Sequence, residues 1–135
     1  MKTILWLSRH PMDDDQLIDL RNMLGCSIKV ITKNITWKAS EDGLIDSPAN
    51  ITILTDLITK EFKDAYKYDN NIIIAGVFPP VVFEALSIHS NWIPEGKRIH
   101  LFSPVSKQDK TIREDGEAII KFVHLRWALV GLYGD

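Results

Sequence analysis

The segment Ser8-Arg9-His10-Pro11 holds the residue types of this 135-residue chain that are best suited to chemistry. The arginine guanidinium presents a planar fork of donors that matches a phosphate or a carboxylate. A histidine ring can give or take a proton near neutral pH. The segment therefore predicts a site for an anionic, phosphate-bearing ligand at Ser8, Arg9 and His10, in which His10 could act as a general acid or base.

The three aspartates that follow, Asp13 to Asp15, limit where such a ligand can lie. Asp13 with Gln16 three residues later has the pattern of a helix N-terminus, which acidic side chains stabilise. They would repel an anion on the helix axis, so we expect the ligand to lie nearer to Ser8, Arg9 and His10. The competing interpretation is that Arg9 pairs with one of these aspartates and that His10 only ends a strand.

Short apolar runs alternate with helical patterns around this segment. Strands are predicted over residues 3–8, 27–32, 72–77 and 98–102, and helices over 13–25, 48–67 and 81–88. Residues 106–117 are polar and predict a loop, and residues 119–132 predict a terminal strand or hairpin, with a bulge or break between Lys121 and His124. This order predicts an α/β fold: a single Rossmann-like three-layer sandwich over residues 1–135, with a mainly parallel sheet.

The predicted sheet adds candidates for the site, because ligands of open parallel sheets bind outside the carboxyl ends of the strands. Segments that follow the four predicted strands should meet at one edge. The further ligand-binding candidates at this edge are Lys33, Asn34, Phe78, Pro79, Ser103 and Lys107.

Composition excludes several classes of protein. The 16 basic and 18 acidic residues give a formal charge of -2, which argues against a protein that coats long DNA. The single cysteine, Cys26, cannot form an internal disulfide, and the chain contains neither a signal-peptide pattern nor an apolar run long enough to span a bilayer. We therefore expect a cytoplasmic protein that makes no membrane contact.

The remaining histidines and the tryptophans favour structural roles. His89 and His100 lack metal-ligand spacing, and no glycine-rich phosphate fingerprint is present, so neither a metal nor a cofactor is expected. His124 is typical of a sheet residue. Trp6, Trp37, Trp92 and Trp127 are predicted to be core or interface aromatics, with stacking of Trp37 or Trp92 on a base as the minor alternative.

The segment from Leu5 to Pro11 resembles the opening of small stand-alone CRISPR-associated proteins that are related to CARF sensor domains, some of which are ring nucleases. The likeness continues in the apolar strand at 72–76, the proline-containing loop at 77–80 and the strand at 98–102. It covers residues 1–25 and 70–105.

This resemblance implies a CARF-like fold and a homodimer that binds cyclic oligoadenylate across its two-fold axis. It also implies cleavage without a metal or cofactor, in which the 2′-hydroxyl of the ligand attacks the adjacent phosphate and leaves a 2′,3′-cyclic phosphate. In that role Arg9 would stabilise the charge, His10 would act as acid or base, and Ser8 and Ser103 would position phosphate or ribose.

Two other functions fit parts of the sequence. Histidine phosphatases also carry Arg-His at the end of a first strand, but their motif continues with glycine where this chain has Pro11, and His100 would have to serve as the second histidine. A non-catalytic protein that senses or sequesters a cyclic nucleotide is the other alternative, because a fold does not determine a function.

Overall fold

A five-stranded sheet with three helices forms the fold, in a computed structural model that describes residues 1–35, 48–88 and 90–134. The elements in chain order are β1 (Lys2–Leu7), α1 (Asp14–Leu24), β2 (Ile28–Lys33), α2 (Pro48–Tyr66), β3 (Ile72–Gly76), α3 (Pro80–Ile88), a short 3₁₀ helix (Ser90–Trp92), β4 (Arg98–Ile112) and β5 (Ala118–Gly134). The strand order is β2-β1-β3-β4-β5; β1 to β4 are parallel, and β5 is antiparallel to β4. This confirms the predicted α/β fold with a mainly parallel sheet.

The central strands β1 and β3 are covered on both faces, which explains their continuous apolar sequences. Alternate residues of β1 belong to different layers of the core. Ile4 and Trp6 pack with Leu20 of α1, whereas Leu5 and Leu7 pack with residues of α2 and α3. Helices thus cover both faces of the sheet.

The amino ends of β1 and β3 are joined through Asp69. The Thr3 hydroxyl donates to Asp69 Oδ2, and the Asn71 backbone N–H donates to Asp69 Oδ1 at 2.9 Å. These two bonds, the Thr3 bond first, lower the pKa of the Asp69 carboxyl below its ordinary value because they stabilise its charged form. The Asp69 carboxylate therefore fixes the short loop that connects α2 to β3.

The main correction to the sequence prediction concerns the last third of the chain. Residues 106–117, predicted to be a loop, lie mostly in β4, which runs on from Arg98 to Ile112 and pairs along its whole length with β5. Ser103-Pro104 therefore does not close the strand. The terminal segment is a strand, as predicted, but the bulge or break expected between Lys121 and His124 is not there, because the register is regular over these residues. The register shifts instead between Val105 and Ser106, which leaves Leu125 as a bulge residue.

The aromatic predictions are confirmed where the structure describes the residues. Trp6, Trp92 and Trp127 are buried, and the Trp92 Nε1–H donates to the Leu86 carbonyl at 3.0 Å, so Trp92 does not stack on a base. Trp37 and His89 lie outside the described residues.

Candidate functional site

The predicted site lies where the chain leaves the sheet in two opposite directions. From β1 the chain turns to α1 on one face, and from the neighbouring β3 it turns to α3 on the other face. In doubly wound sheets the loops at such a switch point diverge and leave a crevice that binds ligands. Ser8-Arg9-His10 follows β1 at this point, and residues 77–79 follow β3.

The loop after β1 has a fixed backbone. The Trp6 Nε1–H donates to the His10 carbonyl at 2.7 Å, and the His10 N–H donates to the Ser8 hydroxyl oxygen at 3.3 Å. The Ser8 N–H in turn donates to the Lys33 carbonyl at 3.1 Å, which ties the loop to the end of β2. With the backbone held in this way, the side chains of Arg9 and His10 are exposed at the edge of the sheet.

The positive charges at this edge, Arg9 and Lys33, have no acidic partner among the residues that the structure describes. Within residues 1–35, 48–88 and 90–134, neither Arg9 nor Lys33 forms an ion pair, and both side chains are exposed. The pairing of Arg9 with an aspartate, the competing interpretation of the sequence, is therefore not found there. Asp13 instead caps α1: its carboxylate accepts from the Gln16 N–H at 2.8 Å, and Gln16 Oε1 accepts from the Asp13 N–H at 3.0 Å.

On the β3 side, the predicted ligand-binding residues form part of the protein interior. Phe78 is 7% exposed and belongs to the core under α2 and α3, and Pro79 is also buried. The Phe78 ring lies against Gly76: a Cβ atom at Gly76 would lie 2.6 Å from Phe78 Cε2 and 3.0 Å from the Leu7 carbonyl oxygen. The position of the Phe78 ring therefore depends on the missing side chain at Gly76.

The other predicted residues are spread along the same edge. Lys33 is the last residue of β2, one strand away from Ser8, and Asn34 follows it; both are exposed. Ser103 is half-buried at the level of Gly76, because Ala75 pairs with Phe102. Lys107 lies four residues further along β4, roughly 13 Å beyond the edge. The structure therefore brings the residues after β1, β2 and β3 together with Ser103, and places Lys107 outside this group.

The histidine pair that a phosphatase would need is not formed. His100 lies within β4 one residue before Leu101, which pairs with Ile74, so it is well below the edge that carries His10. Its ring stacks on Phe102 with 6.3 Å between centroids. No group of three or more metal-ligating side chains occurs among the described residues.

Sequence reasoning missed two contacts of polar side chains. Trp6 is predicted from the sequence only as a core aromatic, yet its indole N–H donates to the carbonyl of His10 and holds this loop. The spacing of four residues between Trp6 and His10 is the sequence signal that could have indicated this contact. His124 Nε2 donates to Asp19 Oδ2 at 2.8 Å across 105 residues of sequence, for which the sequence contains no signal.

A separate cavity of about 120 Å³ lies between α2 and α3, and none of the predicted site residues lines it. Its walls are Ile51, Thr52, Thr55, Asp56, Ala85 and Ile88. No helix in the described part of the chain is long and apolar enough to cross a membrane.

Comparison of the chain with protein-family models, with curated proteins and with solved structures gives no match.

Proposed function

We propose that this protein is a metal-independent ring nuclease with a Rossmann-like, CARF-like fold, which binds cyclic oligoadenylate as a homodimer and cleaves it. The observation that carries the proposal is the pair of exposed side chains, Arg9 and His10, on a loop of fixed backbone at the β1/β3 switch point. A cationic fork with no ion pair in residues 1–35, 48–88 and 90–134 suits a phosphodiester.

The proposed reaction needs few protein groups. The ribose 2′-oxygen forms a bond to the adjacent phosphorus while the bond from phosphorus to the 5′-oxygen breaks, which gives a 2′,3′-cyclic phosphate and a 5′-hydroxyl. The 2′-hydroxyl loses one proton and the 5′-oxygen gains one, and the His10 ring is the group proposed to take or give it. Arg9 would stabilise the negative charge that develops on the phosphate oxygens.

The surrounding residues would bind the rest of the ligand. Ser8 and Ser103 would position phosphate or ribose, and Lys33 and Asn34 would contact the neighbouring nucleotide. Because residues 13–15 are acidic and Asp13 is committed to capping α1, the phosphate would lie on the loop itself and not on the axis of the helix.

Incubation with cyclic tri-, tetra- and hexa-adenylate in EDTA, followed by chromatography of the products, tests the proposal. We expect linear products with 2′,3′-cyclic phosphate ends. His10→Ala should lower the cleavage rate about 10²- to 10⁴-fold, and Arg9→Ala about 10²- to 10³-fold. Arg21→Ala is the matched control, because Arg21 is an exposed arginine in the last turn of α1. Undiminished cleavage by both site variants would contradict the assignment of the site.

A non-catalytic sensor or sponge for the same ligand is the second candidate. It is favoured by the His10 ring, which forms no hydrogen bond with another side chain of the described residues that would orient it for proton transfer. Tight binding of a cyclic oligoadenylate without turnover, lost in Arg9→Ala, would establish this function. Failure of both binding and turnover would exclude both candidates. Phosphohistidine formation at His10 with a generic phosphomonoester would instead identify a histidine phosphatase.

A further inference from the structure

Two buried indoles, from opposite ends of the chain, bond to the two ends of the segment 10–16, which joins the candidate site to α1. The Trp6 Nε1–H donates to the His10 carbonyl at 2.7 Å, and the Trp127 Nε1–H donates to the Gln16 carbonyl at 2.9 Å. Trp6 is 3% exposed and Trp127 is 6% exposed, so water competes little for either bond. The sheet therefore holds this segment at both ends.

The two indoles also contact one another. Their ring centroids lie 5.7 Å apart and their planes meet at 78°, which is the favourable edge-to-face arrangement of aromatic rings. In a close-packed interior one ring cannot shift without affecting the ring it touches. The position of the His10 carbonyl therefore depends on Trp127 through Trp6, while Trp127 holds the Gln16 carbonyl directly.

Trp127 is itself held on a third side. The His124 ring lies 5.7 Å from the Trp127 ring, centroid to centroid, and His124 Nε2 donates to Asp19 Oδ2 at 2.8 Å. Gln16 and Asp19 are three residues apart in α1 and so lie on the same face of the helix. The contacts of β5 with this face fix the Trp127 ring relative to α1.

Trp92 makes the same kinds of contact in the other layer of the core. It is 4% exposed, its Nε1–H donates to the Leu86 carbonyl at 3.0 Å, and its ring lies edge-on to Phe62 and Tyr133. Its one N–H group is thus used on α3, away from the candidate site. Trp92 therefore provides the comparison that separates a role in the site from a role in the core.

We propose that Trp127 is a positioning residue for the candidate site. Together with Trp6 it holds residues 10–16, so that Arg9 and His10 keep a fixed place beyond the end of β1. A residue of the last strand thus sets the geometry of a site near the start of the chain, across 111 residues of sequence from Trp127 to Gln16. The inference rests on the proposed function for what the site does, and on these contacts for how the site is held.

Nuclear magnetic resonance relaxation of the backbone amides tests how the segment is held, with no ligand present. Trp127→Phe keeps an aromatic ring and loses the indole N–H, and Trp92→Phe loses the same group in the other layer. We expect order parameters of about 0.85 for residues 9–16 in the wild type and in Trp92→Phe, falling towards about 0.6 in Trp127→Phe. Far-UV circular dichroism gives the temperature range in which each variant is fully folded, and all measurements are made within it.

Cleavage kinetics with cyclic tri-, tetra- and hexa-adenylate test the effect on the reaction. We expect Trp127→Phe to lower kcat about 10- to 100-fold, because a small misplacement of His10 affects the chemical step. KM should change less, because Lys33 and Asn34, at the end of β2, would still bind the ligand. Trp92→Phe should leave both constants unchanged, whereas a merely structural role would affect the two variants equally.

Trp6→Phe tests whether the two indoles act together. Because the Trp6 indole bonds to His10 directly, this variant should lose at least as much kcat as Trp127→Phe. The double variant should lose less than the product of the two single losses. In the wild type, each of the three cyclic oligoadenylates that binds should shift the indole N–H signals of Trp6 and Trp127 and leave that of Trp92 in place, which needs no variant to fold.

Four outcomes would overturn the inference. Low order parameters of residues 9–16 in the wild type would mean that the indoles do not hold the segment. Equal effects of Trp127→Phe and Trp92→Phe would make Trp127 an ordinary core residue. Fully multiplicative losses of kcat, or a bound ligand that leaves the Trp127 signal unmoved, would mean that the two rings do not act together. If no cyclic oligoadenylate binds, the proposed function fails, and the order parameters still decide this inference.

Discussion

At the scale of single residues, Tyr133 shows how burial and one hydrogen bond fix a side chain. Its hydroxyl donates to the Phe83 carbonyl at 3.1 Å, which joins β5 to α3, and its ring packs edge-on against Trp92. The ring also lies over Gly131, where a Cβ atom would come within 2.4 Å of the hydroxyl oxygen. Burial raises the pKa of Tyr133 from 10.0 to about 12, because the charged form would lose its hydration.

This raised pKa predicts a loss of stability in alkali. Below pH 10 the hydroxyl is neutral in the folded and the unfolded chain; between pH 10 and about 12 only the folded chain keeps the proton, so the free energy of unfolding falls. Tyr133→Phe should cost about 1 kcal/mol at pH 8, since it removes the hydrogen bond from the hydroxyl to the Phe83 carbonyl. The difference from wild type should narrow above pH 10. Urea unfolding of the wild type and of Tyr133→Phe at pH 8 to 11 measures the cost of the substitution and its change with pH. A difference in the free energy of unfolding that stays constant or widens above pH 10 would contradict the prediction.

At the scale of elements, the packing at the end of β3 requires a residue without a side chain, Gly76. A Cβ atom at Gly76 would meet both the Phe78 ring and the Leu7 carbonyl oxygen, so the ring can lie where it does only because residue 76 is a glycine. A methyl group there would displace the flexible ring, but the backbone oxygen of Leu7, at 3.0 Å, has little freedom to move. The geometry of the loop at 77–80 is therefore coupled to one strand residue.

Gly76→Ala should lower the free energy of unfolding by about 1–3 kcal/mol because of this overpacking. The same change made in a Phe78→Ala background should cost less, since the ring that meets the methyl group is gone. A double-mutant cycle by urea unfolding measures this coupling. Additive effects of the two substitutions would mean that the contact with Phe78 is not the cause.

The elements also show which parts of the fold the sequence predicts. β1, the turn at Pro11 and α1 are predicted well, because the apolar run, the Asp13–Gln16 capping box and Gly25 are all local signals. The outer halves of β4 and β5, residues 106–112 and 118–124, are not predicted. Residues 106–112 are mostly polar and have no buried face, and they form a strand only because they pair with residues 118–124. The candidate site is predicted to the extent that it follows strand ends, but the burial of Phe78 depends on packing that no spacing reveals.

At the scale of the whole molecule, the contact between His124 and Asp19 joins the first third of the chain to the last. The His124 side chain is 4% exposed and Asp19 is 42% exposed, and Nε2 donates to the carboxylate at 2.8 Å. A carboxylate only accepts, so Nε2 carries a proton, and the buried Nδ1 has no partner within the described residues. Asp19 is therefore the acceptor for Nε2, and it ties residues 122–126 of β5 to α1.

Asp19→Ala should lower the free energy of unfolding by about 1–3 kcal/mol, because it leaves both nitrogens of a buried ring without a protein partner. Asp19→Asn, which keeps an oxygen acceptor, should cost less. If the pair anchors residues 122–126 of β5, amide exchange there should quicken in Asp19→Ala, while the central strand β3 is less affected. Asn22→Ala, an exposed substitution on α1, is the control. Faster exchange spread evenly over the sheet, with no excess in residues 122–126, would mean that the contact stabilises the fold as a whole and does not hold this part of β5 in place.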